Sequence, residues 1–204
     1  PASDERRVQR RRVPEEAEQE ILAAAERFLR VRPFRELQID TLMDDTGLRR
    51  SSFYRYFRDR HDLIVRITDR FTQLLAVTND TWLASDADPL VGLRVGYEGI
   101  GRFWMEHGTV MHAIADAATH DLAVEKTHRQ LLDHVVRAAT KRIRTDIARG
   151  VIRPLDAAAT AKALVMMSEA YLNDQLGRGG RRDWRRAIEP LVTIWQRTLY
   201  GKTR

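Results

Sequence analysis

Residues 50–57 carry side chains suited to binding a nucleic acid. Read with a helical period, Phe53 and Phe57 lie one turn apart and point inward, while guanidinium, hydroxyl and phenol groups remain on the outer face. Guanidinium groups bind phosphates and guanine edges, and hydroxyl groups bind phosphates or bases. The segment is therefore predicted to be a short helix that enters a groove of double-stranded DNA.

The predicted DNA contacts fall into two classes. Four residues are expected to bind phosphates and to fix the register on the duplex: Ser52, Tyr54, Tyr56 and Arg60. Arg50 and Ser51 are expected to meet base edges, and Arg49 suits either role. The complete set of predicted DNA-binding residues is Gln38, Arg49, Arg50, Ser51, Ser52, Tyr54, Arg55, Tyr56 and Arg60.

Flanking helices would hold this segment in place. Residues 39–46 place their apolar side chains on one helical face, and that helix must end at Gly47, which can adopt the left-handed conformation. Asp59 is expected to cap the next helix. Two short helices joined by a glycine-containing turn are typical of a helix-turn-helix.

The same segment carries a family resemblance. Residues 46–63, TGLRRSSFYRYFRDRHDL, resemble the TetR-family pattern A-G-V-S-x-x-[ST]-[FL]-Y-x-[YH]-F-x-[SN]-K-x-x-L. The residues that fit as they stand are Gly47, Leu48, Ser52, Phe53, Tyr54, Tyr56, Phe57 and Leu63. Thr46, Arg49 and Arg60 depart from the pattern. Because the arginine that replaces the capping serine cannot accept a hydrogen bond, we expect that cap to be lost, or to move to Ser51 or Ser52.

The apolar periodicity predicts an all-α fold of about nine helices, with no segment that alternates long enough to be a strand. After an N-terminal helix from Pro14, the later helices are predicted over about residues 59–82, 90–107, 109–118, 122–149, 157–172 and 184–199. The segment 157–172 is apolar around most of its circumference, so it should be covered on several sides. Pro190 should kink the last helix or mark where its regular part begins.

The resemblance divides the chain into a helix-turn-helix domain, residues 14–60, and a larger ligand-binding and dimerisation domain, residues 61–204. The runs LVMMSEAYL at 164–172 and IWQRTLYG at 194–201 further resemble the mycobacterial ethionamide-resistance regulators, a group with a long hydrophobic ligand channel. Residues 1–13 are basic and are expected to be disordered. They are either a solvated tail or an arm that reaches phosphates or the minor groove.

A palindromic operator needs two DNA-reading helix-turn-helix units, called readers below, about one helical turn, roughly 34–36 Å, apart. A homodimer is therefore expected. The resemblance places the dimer surface on the last two helices. The apolar face of the last helix is also too wide for a lid alone, although a role in the core stays open. The predicted interface residues are Leu164, Leu172, Trp184, Ile188, Leu191, Trp195 and Leu199.

The resemblance also implies a small-molecule pocket among the middle helices, whose occupation would push the two readers out of spacing. Aromatic walls, methionines and few polar groups suit a mostly apolar effector, and ordinary core packing is the alternative for each residue. The candidates are Tyr97, Ile100, Trp104, Met111, Ile114, Val135, Met166, Met167, Ser168 and Tyr171.

The amino-acid composition excludes several classes of protein and favours one class of partner. The chain of 204 residues has a formal charge of +6 and a pI near 10.0, which favours a polyanionic partner. Cysteine is absent, which excludes disulfides and thiolate chemistry. No apolar run approaches the ~20 residues of a membrane span and the N-terminus is not a secretory signal, so a cytoplasmic protein without membrane contact is expected.

Enzymatic interpretations find little support. Glu125 and His128 form one E-x-x-H unit, but a helical di-iron site needs two such units, so neither a metal nor a cofactor is expected. Nucleophile and phosphate-loop motifs are absent from the sequence. Two functions remain: a ligand-responsive repressor, or an effector-independent architectural protein that uses the same helix-turn-helix. The large second domain favours the first.

Overall fold

The computed structural model describes residues 14–84, 88–179 and 183–201, and within these ranges the fold is all-α, as predicted. Its helices are α1 (Pro14–Leu29), α2 (Ile39–Thr46), α3 (Arg50–Tyr56), α4 (Arg60–Ala84), α5 (Pro89–Ala118), α6 (Leu122–Ala148), α7 (Ala157–Leu172) and α8 (Trp184–Tyr200). A 3₁₀ turn, Phe34–Glu36, follows α1, and a π turn, Asn173–Gly177, follows α7. The predicted basic arm, residues 1–13, lies outside the described residues.

Helices α1–α3, together the N-terminal unit, pack against one another at the N-terminal end of the described chain. Phe53, Phe57 and Leu42 are almost completely buried there, and Phe34 from the 3₁₀ turn belongs to the same apolar core. Gly47 ends α2 with a φ of 65°, the left-handed conformation that the sequence predicted. The burial of this side of α3 leaves its opposite side to solvent.

Helix α5 is the centre of the larger bundle, and it also touches the N-terminal unit. It packs against α4, α6, α8 and the π turn, and it contacts α1. The N-caps of the four last helices are aspartates whose carboxylates accept amide hydrogen bonds: Asp88, Asp121, Asp156 and Asp183. These caps fix where each helix begins after its loop.

The predicted break at His107 and Gly108 is wrong, because α5 continues through both residues for 30 residues in all. Gly108 instead permits a close approach between elements. A Cβ atom at this position would lie 2.9 Å from the carbonyl oxygen of Leu176 in the π turn. Gly108 therefore allows tight packing of α5 against the π turn and does not end the helix. Pro190 lies inside α8, which begins at Trp184 and continues to Tyr200, so it does not mark where the helix begins.

Candidate DNA interface and ligand cavity

The outer face of α3 presents most of the predicted DNA-contacting side chains to solvent. The exposed residues are Gln38, Arg49, Arg50, Ser51, Tyr54 and Arg55, and the half-buried ones are Ser52, Tyr56 and Arg60. Phe53, on the opposite side, has no exposed surface. The helix is therefore anchored by its apolar side and displays hydroxyl, phenol and guanidinium groups on the other.

Two of these side chains are already oriented by neighbours. The Arg50 guanidinium lies 3.1 Å from the Asp40 carboxylate and donates a 3.3 Å hydrogen bond to the Tyr54 hydroxyl. All three side chains are solvent-exposed, so the ion pair costs little to break and would exchange readily for a phosphate or base contact. Helix α3 thus offers a preformed Arg–Tyr pair.

The start of α3 lacks a capping side chain. Arg49 occupies the N-cap position with an extended backbone, φ −72° and ψ 146°, and no side-chain hydrogen bond reaches the first turn. Of the two expectations for this cap, loss is the one observed, because neither Ser51 nor Ser52 replaces it. The cause is chemical, since a guanidinium has no acceptor for an amide hydrogen.

Arg60 occupies a different environment from the arginines of α3. Its guanidinium lies over the Phe34 ring, 5.0 Å from the centroid, and Nη1 is 3.5 Å from the carbonyl oxygen of Arg35. Asp59 caps this end of α4 by accepting hydrogen bonds from the amides of Asp62 and His61. These bonds lower the pKa of Asp59, with the Asp62 amide as the largest cause.

A side-chain bridge joins the N-terminus of α4 to the bundle, and sequence reasoning missed it. The Nε2 atom of His61 lies 2.6 Å from the Asp121 carboxylate, which also caps α6 through the amides of Ala123 and Val124. Burial opposes ionisation of Asp121, but the hydrogen bonds from His61 and the α6 amides outweigh it and lower the pKa of Asp121. No spacing rule connects residues 60 positions apart.

A cavity of about 90 Å³ lies within the larger bundle. Six of the ten predicted ligand-binding residues line it: Tyr97, Ile100, Trp104, Met111, Val135 and Ser168. The other four do not, because Ile114 is buried in the core, Met166 is exposed on α7, and Met167 and Tyr171 are half-buried outside the lining. The lining residues that sequence reasoning missed are Leu75, Trp82, Leu93, Leu131, Leu132, Ala138, Ala139, Val165, Glu169, Leu172 and Trp195.

A hydrogen-bonded triad crosses one side of the cavity. The Ser168 hydroxyl accepts from the Tyr97 hydroxyl at 2.8 Å and from the Trp195 indole at 3.0 Å, and it donates to the Leu164 carbonyl at 2.8 Å. Burial raises the pKa of Tyr97, so its phenol stays protonated and remains a donor. The three polar groups therefore satisfy one another without any ligand.

The apolar face of α8 is buried in the core of the single chain. The sequence predicts that the residues of this face form a dimer interface because the face is wide. Trp195 packs edge-on against Trp82 and Tyr97. The predicted interface residues already buried within the chain are Leu164, Leu172, Ile188, Leu191, Trp195 and Leu199. Only Trp184 is half-exposed, beneath the guanidinium groups of Arg102 and Arg185. The width of the face arises because α5 covers it.

The surface that α7 leaves open is different and carries small side chains. Ala159, Ala163, Met166 and Ala170 recur with helical spacing on its exposed side, and Met166 is 46% exposed. On α8, Ile194 is 40% exposed. The sequence predicts that α7 is covered on several sides, but in the single chain one side of α7 is exposed to solvent.

The Glu125–His128 unit does not gather further ligands. Glu125 pairs with Arg129, and His128 turns toward Glu169. Within residues 14–84, 88–179 and 183–201, no group of three His, Cys, Asp or Glu side chains could hold a metal ion. In the same part of the chain, no helix is long and apolar enough to cross a membrane.

Comparison with known proteins agrees with this architecture. Residues 21–67 match the family described as bacterial regulatory proteins, tetR family, and residues 93–201 match the C-terminal domain of the transcriptional regulator EthR. The HTH-type transcriptional regulator EthR of Mycobacterium tuberculosis (strain ATCC 25618 / H37Rv) is 27% identical over 192 residues, covering 90% of this chain and 87% of the relative. Its counterpart in Mycolicibacterium smegmatis is 24% identical over 194 residues, covering 92% and 88%.

Solved structures share the fold at low sequence identity. A TetR-family protein from Syntrophomonas wolfei aligns with a TM-score of 0.80 and 14% identity, covering 91% of this chain and 95% of its own. AibR, solved in complex with isovaleryl coenzyme A and operator DNA, aligns with a TM-score of 0.68 and 14% identity, covering 92% and 100%.

Proposed function

Since this chain belongs to the TetR family of transcriptional regulators and has an EthR-type C-terminal domain, we propose that it is a ligand-responsive repressor. It binds a palindromic DNA operator as a homodimer, and a small, mostly apolar effector releases it. The observation that carries the proposal is the pairing of an exposed, polar α3 with a separate apolar cavity in the same molecule.

On DNA, the outer face of α3 enters the major groove. Arg50 and Ser51 meet base edges, while Ser52, Tyr54 and Tyr56 bind phosphates on either side. Arg60 contacts a phosphate from the start of α4, where Phe34 and the Arg35 carbonyl hold its guanidinium. Base contacts set the sequence preference and phosphate contacts set the register.

The dimer forms through the exposed side of α7, together with the solvent face of α8. Small side chains at Ala159, Ala163 and Ala170 let a second helix approach closely, and Met166 and Ile194 supply apolar area. Covering this side with a second copy also accounts for the apolar circumference of α7. The interface proposed from these side chains thus lies on the opposite side of α7 and α8 from the residues buried in the chain's own core.

Helix α4 connects the cavity to the reader. Leu75 and Trp82 of α4 line the cavity, and α4 begins at Arg60, shortly after α3 ends at Tyr56. An effector that fits better when α4 is displaced therefore favours a dimer whose two α3 helices are wrongly spaced for one operator. It acts through its preference for that conformation, not through binding alone.

Selection of genomic DNA fragments with the purified protein tests the proposal, followed by a screen of lipophilic compounds for release. We expect one palindromic sequence to be enriched and an apolar compound to release it. Arg50→Ala should relax preference at one base step by about 1–3 kcal/mol, whereas Arg60→Ala should weaken all sequences alike. Arg137→Ala, which removes an exposed arginine from α6, is the matched control. Uniform affinity for all duplexes, governed only by salt, would instead indicate the architectural function.

A further inference from the structure

The wall of the otherwise mostly apolar cavity includes one charged side chain among the described residues. Among the described residues that line the cavity, Glu169 of α7 is the only charged one. Its side chain is 17% exposed, and the imidazole of His128 on α6 lies beside it. The Nε2 atom of His128 lies 3.7 Å from the Glu169 carboxylate, which is too long for a hydrogen bond.

The imidazole next to this carboxylate is also incompletely satisfied. Its Nε2 atom is buried and has no hydrogen-bond partner in the described part of the chain. Buried polar atoms are nearly always paired, so an orphaned nitrogen beside a carboxylate needs an explanation. Of the polar groups that line the cavity, Tyr97, Ser168 and Trp195 bond one another, whereas the Trp82 indole nitrogen, which can only donate, is buried without a partner among the described residues. Glu169 is therefore the charged acceptor on the cavity wall, and the His128 imidazole lies beside it, outside the lining.

On the premise that the cavity is the effector site, we propose that Glu169 recognises the head group of the effector, which is a protonated amine or another N–H donor on an apolar body. The carboxylate accepts from the head group. His128 acts mainly as a positioning residue that lies beside the carboxylate in the α6–α7 contact.

Electrostatics excludes the opposite kind of ligand. A carboxylate or phosphate head would face the Glu169 carboxylate in a poorly hydrated space, where like charges repel more strongly than in water. An uncharged alcohol could donate one hydrogen bond but would gain no ion pairing. The cavity chemistry therefore ranks head groups in the order ammonium, hydroxyl, carboxylate.

A set of probes with one hydrocarbon body tests this ranking. The probes carry a single ring on a short chain, a body that is larger than the cavity of about 90 Å³, so their binding relies on the displacement of α4 that the proposed function requires. The probes are 3-phenylpropylamine, 3-phenylpropanol, 3-phenylpropionate and propylbenzene, titrated into the full chain at pH 7 by calorimetry. We expect the amine to bind at least about tenfold more tightly than the alcohol, and the carboxylate to bind most weakly.

The outcomes separate this inference from the proposed function. If propylbenzene binds but the three head groups do not differ, or the carboxylate is preferred, the cavity remains a ligand site and the role of Glu169 is overturned. If none of the four probes binds, the cavity is not an effector site and both proposals fail together.

Variants then assign the preference to one side chain. Glu169→Gln should weaken binding of the amine by about 10- to 100-fold and leave propylbenzene unchanged, which also reports that the cavity is intact. His128→Asn should weaken the amine less. Glu98→Gln, which removes a surface carboxylate from α5, should alter none of the four affinities. An amine preference that survives Glu169→Gln would overturn the assignment, as would a preference lost equally in Glu98→Gln.

Discussion

A buried ion pair fastens the C-terminal end of α6 to the ends of α4 and α8. The Arg142 guanidinium donates to the Asp146 carboxylate at 2.8 Å and also to the Trp82 carbonyl oxygen. The Tyr200 hydroxyl donates to the same carboxylate at 2.9 Å. Because Arg142 is 4% exposed and Asp146 is 1% exposed, Asp146→Ala would remove a buried carboxylate that is paired with a buried guanidinium.

The expected loss of stability follows from that burial. Removing one partner of a buried pair costs about 3–5 kcal/mol, whereas breaking an exposed pair costs about 0–1 kcal/mol. If the free energy of unfolding falls by about 2–3 kcal/mol per molar of urea, the unfolding midpoint of Asp146→Ala should fall by roughly 1–2.5 M. The second partner, Tyr200, also loses its acceptor, which places the expectation toward the upper part of the range.

Urea denaturation followed by far-ultraviolet circular dichroism, at one fixed protein concentration, measures this effect. Glu125→Ala is the matched control, because it breaks the exposed pair with Arg129 on the same helix. The double variant Arg142→Met, Asp146→Leu should recover much of the loss, since it removes both charges of this pair together. The reasoning would be refuted if Asp146→Ala lay within about 1 kcal/mol of the wild type, or if the double variant were no more stable than the single one.

Three further changes have expected outcomes. Gly108→Ala should destabilise the protein by about 1–3 kcal/mol in the same urea assay, because the added Cβ would lie 2.9 Å from a backbone oxygen that cannot rotate away. An unchanged free energy of unfolding would contradict the close packing of α5 against the π turn. Asp59 has a lowered pKa, so the stability that its carboxylate adds should be fully present above its ordinary pKa of 3.8 and should be lost as the pH falls through the lowered value. The difference in urea midpoint between wild type and Asp59→Asn should therefore shrink below that pH, and a constant difference would refute the assignment. Met166→Glu places a charge on the exposed side of α7 and should convert a dimer to single chains in sedimentation analysis. Leu122→Glu, which places the same charge at an exposed apolar position of α6, is the control and should leave the dimer intact.

Local chemistry made much of the N-terminal unit predictable. The bounds 39–46 and the stop at Gly47 follow from apolar spacing and from the need for a positive φ, and both are observed. The uncapped start of α3 follows from Arg49 in the same way, because the lack of an acceptor is a property of one side chain. Such features depend on neighbours within a few residues, which a single sequence contains.

Features that depend on residues distant in the chain were harder to predict from the sequence. Gly108 resembles a helix stop until the Leu176 carbonyl is placed against it. Trp195 looks like part of an unpartnered apolar face, yet it lines the cavity because α5 packs against α8; Leu172 lines the same cavity from α7. Helical spacing shows which residues share a face, but it does not show whether the chain itself or a second molecule covers that face. The His61–Asp121 bridge has the same origin.

The spacing of the two readers is the most direct test of the whole account. The chain has no cysteine, so Asp44→Cys places a single spin label on the exposed surface of α2, next to the reader but outside its predicted DNA contacts. With the selected operator bound, electron–electron dipolar spectroscopy should give one narrow distance, of the order of the roughly 34–36 Å that separates successive major-groove faces. A protein that shows no dipolar coupling, or a distribution that operator DNA leaves unchanged, would contradict a paired helix-turn-helix regulator.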